Sequence, residues 1–600
     1  MTSGILSKVV SLLAREERWK IAVLLAAMLA TSVLQVVSIA SVMPFVGLVA
    51  NPDFIQQNRW MHRVYDALQF HSSQSFLLAT GVVVVSLFAL GNALTALTAW
   101  FSYRFVWFNH QKIAERLLEE YLRKPYSFFL GRHGARLSKT LLSEVRTVVT
   151  GVMIPCLDVA AKGVSTILVV GLLVIADPKI ALLVSVGMGA AYGVIFATLR
   201  RRQTRLGERH VAASTLSYRI ATETLGAIKE VKVLGREAAF VARFRTASIE
   251  LAAVNASSAI AGQLPSYALE TLAVGGMLTL LLYLVHARQS LDQVLPIAAV
   301  YAVAGNRLMP AFQQIFAAMT MIRFNAAALD ELHADMPSRP DEPVRPFASM
   351  LVTPSRGTGS EIRFRNVSFA YGTNRRPALK HIDLVIPRNA TVGLVGATGS
   401  GKTTLVDLVL GLFSPIEGEI LIDGRRLDET SIAEWRSRIG YVPQSIFLSD
   451  DSIAKNIAFG FADRDIDRAA VERAARAAHL HPFVAQLSEG YDTMVGERGV
   501  RLSGGERQRI GIARALYHNP DVLVMDEATS ALDTVTEDAV MGATKDLAPN
   551  RTIILIAHRL STVKQCDVLF LLEAGQLAAR GTYDELCATS ASFRAMAGLA

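Results

Sequence analysis

The run Gly396-Ala397-Thr398-Gly399-Ser400-Gly401-Lys402-Thr403, followed by Thr404, carries the clearest chemistry in the chain. It fits G-x-x-x-x-G-K-[ST], a loop that wraps nucleotide phosphates. Its glycines let backbone N–H groups approach the phosphates, its lysine reaches the β/γ oxygens and its hydroxyl holds Mg²⁺. Such a loop needs a strand before it and a helix after it. The apolar run Thr391 to Val395 reads as that strand, and the periodic segment Leu405 to Leu412 as that helix.

Two further stretches supply matching chemistry. Val522-Leu-Val-Met-Asp526-Glu527 reads as an apolar strand ending in two acids, one placed beside Mg²⁺ and one near the terminal phosphate. Leu502-Ser503-Gly504-Gly505-Glu506 opens an amphipathic helix from Arg507 to Tyr517. A Ser-Gly-Gly entrance collects backbone N–H groups at a positive helix end and so suits an anion, although the same residues alone read as a plain cap.

The surroundings divide the chain. Of 600 residues, 51% are apolar and only 19% charged, against roughly 25% charged in ordinary soluble chains. The bias lies in the first half. Ile21–Ala50, Phe76–Tyr103 and Ile180–Leu199 contain no charge. Thr147–Ala176 is interrupted by Asp158 and Lys162, Leu251–Val285 by Glu270 alone, and Val294–Ile322 by Arg307 alone. A bilayer needs about 20 apolar residues per helix, so six spans are expected. An even number returns both ends to one side. Arg15, Arg18 and Lys20 before the first span, Lys112, Arg116, Arg123 and Lys124 after the second, and Arg200, Arg201, Arg202 and Arg205 after the fourth mark that side as cytoplasmic.

These basic residues sit beside apolar spans and form no nucleic-acid motif, so the net charge of +9 is read as topology and no nucleic-acid partner is expected. Cys156, Cys566 and Cys587 show neither metal nor disulfide spacing. The amino terminus lacks a cleavage pattern. Ile5, Leu6, Val9, Val10 and Leu13 instead share one face of a short helix expected on the membrane surface.

Within the membrane half, residues 104–146 and 200–250 are polar helix formers, expected to continue the spans into the cytoplasm. Short transverse segments are expected near Tyr126–Arg132 and Leu216–Thr224, as contact points for an ATPase domain. Trp60, Met61, Val64, Tyr65 and Leu68 predict an amphipathic outer helix that either caps the spans or meets the lipid part of a substrate. Asp158 and Lys162 read as a local i,i+4 pair. Glu270 and Arg307 fall at similar depth and are expected to face one another, as a structural ion pair or as contacts for an anionic substrate. Met336–Ser360, with five prolines, reads as a linker, giving a membrane domain 1–335, a linker 336–360 and an ATP-binding domain 361–600.

Taken together, the phosphate loop, the LSGGE stretch, Met525-Asp-Glu-Ala-Thr-Ser-Ala-Leu-Asp533 and His558, in that order, resemble the nucleotide-binding domain of ATP-binding cassette (ABC) transporters. Nearly the whole chain resembles a half-transporter of the type IV exporter class. The implied fold is an all-α six-helix transmembrane domain fused to an α/β P-loop ATPase domain. By this resemblance Tyr371 stacks on adenine, and Gly396 to Thr404 hold the phosphates. Thr403, Gln444 and Asp526 serve Mg²⁺. Glu527 is the general base, with His558 and Gln444 completing the catalytic set. Asp533 communicates across a dimer, and Gly496-Glu497-Arg498-Gly499 faces the transverse helices. Ser503, Gly504 and Gly505 of one subunit close on ATP held by a second copy, which implies a homodimer with ATP and Mg²⁺ as cofactors. Glu506 stands where glutamine is common, with little effect expected.

The motifs Ser41-Val-Met-Pro-Phe45, Leu264-Pro-Ser-Tyr-Ala-Leu-Glu270 and Arg307-Leu-Met-Pro310 resemble bacterial flippases of lipid-linked oligosaccharides, the PglK-like group. That implies a lipid or amphipathic substrate moved from inner to outer leaflet of a bacterial inner membrane, with the ATPase domain cytoplasmic. A general exporter of drugs, peptides or other lipids shares the same engine. An ATP-regulated channel would need little turnover and so little use for Glu527 and His558. A soluble DNA ATPase is at odds with six spans, and too few residues precede Ile21 for a peptidase domain.

Overall fold

The computed structural model describes residues 2–50, 59–70, 72–176, 178–288, 291–336, 359–372, 377–526, 551–556 and 563–597. The chain forms two compact units. One comprises Met1–Lys124 with Phe128–Pro343, the other Pro125–Ser127 with Val344–Ala600.

The first unit is helical. Its long helices are α1 Arg15–Ala40, α2 Ser73–Arg123, α3 Ile154–Ala176, α4 Pro178–Gly226, α5 Glu237–Arg288 and α6 Leu291–Phe324, followed by α7 Ala326–Asp335. Among the described residues three stretches suit a membrane crossing by length and composition: Arg15–Val49, Ser73–Arg123 and Gly134–Ile175. The other three expected spans lie along α4, α5 and α6. Leu78, Val82, Val85 and Ile175 project outward. Apolar groups on an outward helix face are stable against lipid and costly against water.

At one end of the long helices the chain packs as a bundle. Val106, Ile113 and Leu117 of α2 meet Val145, Val148, Val149 and Val152, together with Leu329 and Leu332 of α7. The amino-terminal helix Thr2–Leu12 buries Val9, Leu12 and Leu13 in this cluster, and Lys8 pairs with Asp330 at 2.6 Å. The expected surface helix is therefore docked on protein along one edge, leaving Leu6 and Val10 exposed.

The first transverse segment appears as a short helix, Tyr126–Leu130. The second departs from expectation. Residues 216–224 stay inside α4, held by buried Ser217 and Ile220, and the chain turns only after Gly226. The short helix is Ile228–Val233. It ends where Gly235 takes φ +60°, with Arg236 N–H bonded to Val231 O and Gly235 N–H to Lys232 O. That paired closure wants a left-handed residue, which glycine supplies without strain.

The outer helix Arg59–Ala67 is present. Met61 and Tyr65 pack with Leu48 and Phe76, and the Tyr65 and Phe76 rings meet edge-on at 5.3 Å. This is the capping arrangement, although Val64 and Leu68 remain exposed.

The second unit carries β1 Ile362–Ala370, β2 Pro377–Ile386, β3 Thr391–Val395, β4 Glu417–Ile422, β5 Arg425–Arg426, β6 Ile439–Val442, β7 Val522–Asp526, β8 Thr552–Ile556, β9 Val568–Glu573 and β10 Gln576–Gly581. One sheet is antiparallel with order β2-β1-β4-β5. The other has order β10-β9-β3-β8-β7-β6 and is parallel from β9 to β6. Its strands β3, β7 and β8 are buried along their whole length. Burial on both faces explains why they read as unbroken apolar runs rather than alternating ones.

Candidate functional site

Ligands of open parallel sheets bind beyond the carboxyl ends of the strands. Three expected site elements leave this sheet at that end. They are the loop after β3, Asp526 closing β7, and Gln444 just after β6.

The loop after β3 is shaped by its glycines. Gly396 has φ +147°, Gly399 +79° and Gly401 +105°. A Cβ on Gly396 would sit 2.3 Å from the backbone oxygen of Leu572, so no other residue fits there without displacing a strand. Gly401 caps helix α8, Lys402–Val409, from the left-handed region. The resulting concavity turns successive N–H groups inward, an anion-binding nest at a helix start.

Three side chains test the fit to a phosphate. Lys402 is buried, and its Nζ donates to the carbonyl oxygens of Gly396 at 2.8 Å and Ala397 at 3.0 Å. Among the described residues Ser400 Oγ is buried without a hydrogen-bond partner. Buried hydroxyls are almost always satisfied, so an orphan one marks a place for an absent acceptor or donor. Thr403 is exposed in the first helical turn, where a hydroxyl can reach a metal. Ala397 and Thr398 form the exposed loop tip. These features fit a nucleotide triphosphate and its divalent ion.

Thr404 points the other way. It is buried, and its Oγ1 lies 3.0 Å from Tyr371 Oη. The Tyr371 ring packs edge-on against Phe369 at 5.1 Å and Phe413 at 5.5 Å. The expected adenine-stacking residue is thus fixed at its hydroxyl end, and burial raises its pKa. Phe369 and Phe413 were not singled out from sequence. The alternation Phe369-x-Tyr371 at the end of β1 was the available signal.

Behind the loop, Asp407 was also missed. Burial pushes its carboxyl up to about 6, with repulsion from Asp526 adding to the effect. Tyr441, on β6, is pushed up to about 12 by burial and by the same two acids. Asp526 is itself buried. Negative charge is therefore concentrated at the β7 end, an arrangement that a divalent cation relieves. Gln444 is exposed. Glu527, Asp533 and His558 lie outside the described residues.

The Ser503 entrance is a closed capping box on helix α9, Gly504–Leu516. Glu506 N–H donates to Ser503 Oγ at 3.2 Å, and Ser503 N–H donates to Glu506 Oε2 at 2.7 Å. The unusual Glu506 therefore has a local structural duty that glutamine can also perform. Ser503 stays exposed, and among the described residues no hydrogen bond joins it to the phosphate loop of its own chain. Upstream, Gly496, Arg498 and Gly499 all have positive φ, giving Gly496–Gly499 a tightly wound form in which Glu497 and Arg498 are exposed and Gly499 is buried.

In the membrane unit Glu270 and Arg307 do not pair. Arg307 Nη2 donates to Asn92 Oδ1 at 3.0 Å, with its guanidinium 5.9 Å from the Phe88 ring centroid, whereas Glu270 is exposed on α5. The expectation of a facing ion pair is corrected. The α6 arginine turns towards α2, where a neutral amide and an aromatic face accept it. Asp158 and Lys162 sit one turn apart on α3 and interact electrostatically, although no salt bridge closes between them among the described residues.

Comparison with known proteins bears on both halves. Residues 21–292 match the ABC transporter transmembrane region and residues 379–530 match ABC transporter. The chain is 34% identical over 492 residues to an ATP-dependent lipid A-core flippase of Cupriavidus metallidurans, covering 79% of each chain. It is 35% identical over 472 residues to the flippase of that name from Burkholderia orbicola, covering 77% of this chain and 76% of that one. Its structure is similar to that of a bacterial Atm1-family ABC exporter with ATP bound, with a TM-score of 0.76 and 25% identity over 96% of this chain and 98% of the other. Helical membrane unit and phosphate-binding sheet together identify the chain as a member of the ABC transporter family, an ATP-hydrolysing half-transporter of the exporter type.

Proposed function

We propose that this protein works as a homodimer in a bacterial inner membrane and uses ATP to move an amphipathic glycolipid from the inner to the outer leaflet. The observation that carries this reading is the pairing of a phosphate nest fitted with an orphan Ser400 hydroxyl and a lodged Lys402 with helices apolar enough to cross a bilayer. The lipid cargo rests on the relatives named lipid A-core flippases and on the span motifs around Pro44, Pro265 and Pro310.

Within the proposed engine Lys402 leaves the Gly396 and Ala397 carbonyls to neutralise phosphate oxygens, and the Gly396–Thr404 backbone fixes their position. Thr403, Gln444 and Asp526 would hold Mg²⁺, which when bound withdraws charge from the phosphates. Glu527 would take the proton of the attacking water, and His558 would contact the terminal phosphate. Positioning and charge neutralisation carry most of such a reaction. Ser503, Gly504 and Gly505, exposed at a helix start, would close on the nucleotide of a second copy. Arg307 uses one of its five N–H donors on Asn92, leaving capacity for an anionic headgroup.

The test is reconstitution into liposomes with fluorescent lipid A-core in one arm and polyprenyl-linked oligosaccharide in the other. ATP-dependent flipping that disappears in Glu527→Gln supports the reading, and the active arm names the cargo. ATP hydrolysis with no movement of either lipid moves the protein to general export of other compounds.

A further inference from the structure

We infer that the cytoplasmic stem of the third span contains a register joint latched by the buried Lys139–Glu144 ion pair, and that transport requires this joint to change. The stem leaves the first transverse helix and climbs to α3. Its path is irregular: residues Gly134–Lys139 are α-helical, Thr140–Glu144 form a π turn, Val145–Val148 return to α, and Val149–Met153 form a second π turn. Each π turn holds one residue more than the α register accepts, and such turns collect at functional sites.

The geometry of the pair depends on the first of these turns. In an α-helix, residues five apart point about 140° away from one another. The wider i→i+5 winding brings them back to one side. Lys139 and Glu144 are five apart, and they form a salt bridge with side chains 0% and 2% exposed. Lys139 Nζ also donates to Thr215 Oγ1 at 2.9 Å and Val211 O at 3.4 Å, both on α4. The pair thus exists only while the turn stays wide, and it fastens that turn to α4.

Stability does not account for it. Among the described residues Glu144 Oε2 is buried without a hydrogen-bond partner, beside the apolar cluster of Val145, Val148, Val149 and Leu117. A buried pair with an unsatisfied oxygen is commonly no better than apolar residues of equal volume, and its best-attested use is fixing register.

The second π turn is fastened elsewhere. Gly151 O accepts from Asn325 Nδ2 at 3.4 Å, and a Cβ at Gly151 would lie 2.3 Å from that nitrogen. Asn325 is the break between α6 and α7. At the far end of α7, Asp335 accepts from Tyr121 Oη and from Arg132 Nη1, both at 2.8 Å. Arg132 follows the transverse helix. The two wide turns are therefore tied to α4 and to the exit of α6, the helices on which the joint would act. Converting one π turn to α shifts the helix beyond it by about 1.5 Å and 100°.

The joint rests on the proposed ATP-driven cycle, and ATP hydrolysis is measured alongside to keep the two apart. In the full-length protein in nanodiscs, amide hydrogen exchange is compared without nucleotide and after trapping with ATP and vanadate. The expected result is a change of about tenfold or more in amides 140–153, with the 154–170 helix unchanged. Identical exchange in a protein shown to be trapped overturns the inference. Lack of ATP hydrolysis and trapping in the wild type instead removes the proposed cycle and the joint with it. In liposomes, K139M/E144L is expected to hydrolyse ATP within about threefold of wild type but to move lipid about tenfold less, and K139E/E144K to recover transport. Wild-type transport per ATP in folded K139M/E144L shows the pair to be structural only and overturns the inference. If that variant does not fold, the exchange measurement on the wild type decides.

Discussion

Lys402 Nζ donates to the carbonyl oxygen of Gly396 at 2.8 Å, closing the phosphate loop on itself. Charged phosphate oxygens are stronger acceptors for an ammonium than neutral backbone carbonyls, so they compete well for it. Lys402→Met is therefore expected to retain the fold and to lower ATP hydrolysis about 100-fold or more. Malachite-green phosphate release and a thermal melt, run together, check both halves. Hydrolysis within a few fold of wild type would show that the lysine is not the phosphate ligand.

The capping box makes a prediction about two neighbouring residues with different duties. Glu506→Gln keeps an acceptor for Ser503 N–H, so ATP hydrolysis should stay within about twofold. Ser503→Ala removes the cap, costing about 1 kcal/mol of helix stability, and should lower hydrolysis about tenfold through loss of the exposed hydroxyl. Equal effects of the two substitutions on hydrolysis would leave Ser503 with a cap role alone.

Close helix packing sets a third expectation. A Cβ on Gly207 would fall 1.9 Å from the backbone oxygen of Phe324, which cannot rotate away. Gly207→Ala should destabilise by about 1–3 kcal/mol as α4 is pushed from the end of α6. Gly163→Ala, with nothing within 4 Å of its Cβ, is the control. Thermal unfolding in detergent should separate the two variants clearly.

His210 gives a pH dependence. It lies on α4 beyond the expected span, with Nδ1 2.8 Å from Asn255 Oδ1 and its ring 5.1 Å from Phe324. Burial lowers its pKa below the usual 6.5, with Lys139 acting in the same direction while Asn255 and Glu144 oppose. Below about pH 6.5 the unfolded chain therefore binds more protons than the folded one, so this contribution to stability is complete above that pH and is lost as pH falls through the folded value. His210→Gln should reduce the fall in melting temperature between about pH 7.5 and pH 5.5. An unchanged fall would remove His210 from the account.

Much of this was legible from residue order, for identifiable reasons. Strands β3 and β7 lie in a sheet covered on both faces, so Thr391–Val395 and Val522–Asp526 are written as unbroken apolar runs that sequence periodicity detects. The phosphate loop is local, and its glycines announce their own backbone geometry. What stayed hidden depends on partners distant in sequence. Nothing near Arg307 points to Asn92, 215 residues away, and a carboxylate on the next helix was the more obvious guess. The end of α4 was misplaced because Leu216–Thr224 contains polar residues, although Gly226 and Gly235 held the actual signal. The π turns left no periodic mark, since one inserted residue alters a pattern too short to count.

The claim that an ATP site is completed by a second copy is tested most directly by mixing two impaired subunits. Lys402→Met and Ser503→Ala chains are co-expressed with different tags and the mixed dimer is purified through both. If the phosphate loop of one copy works with Ser503 of the other, one of the two sites carries both lesions and the other carries none, and ATP hydrolysis should recover to as much as roughly half the wild-type rate. A mixed dimer no more active than either variant alone would contradict the shared site and the transport cycle built on it.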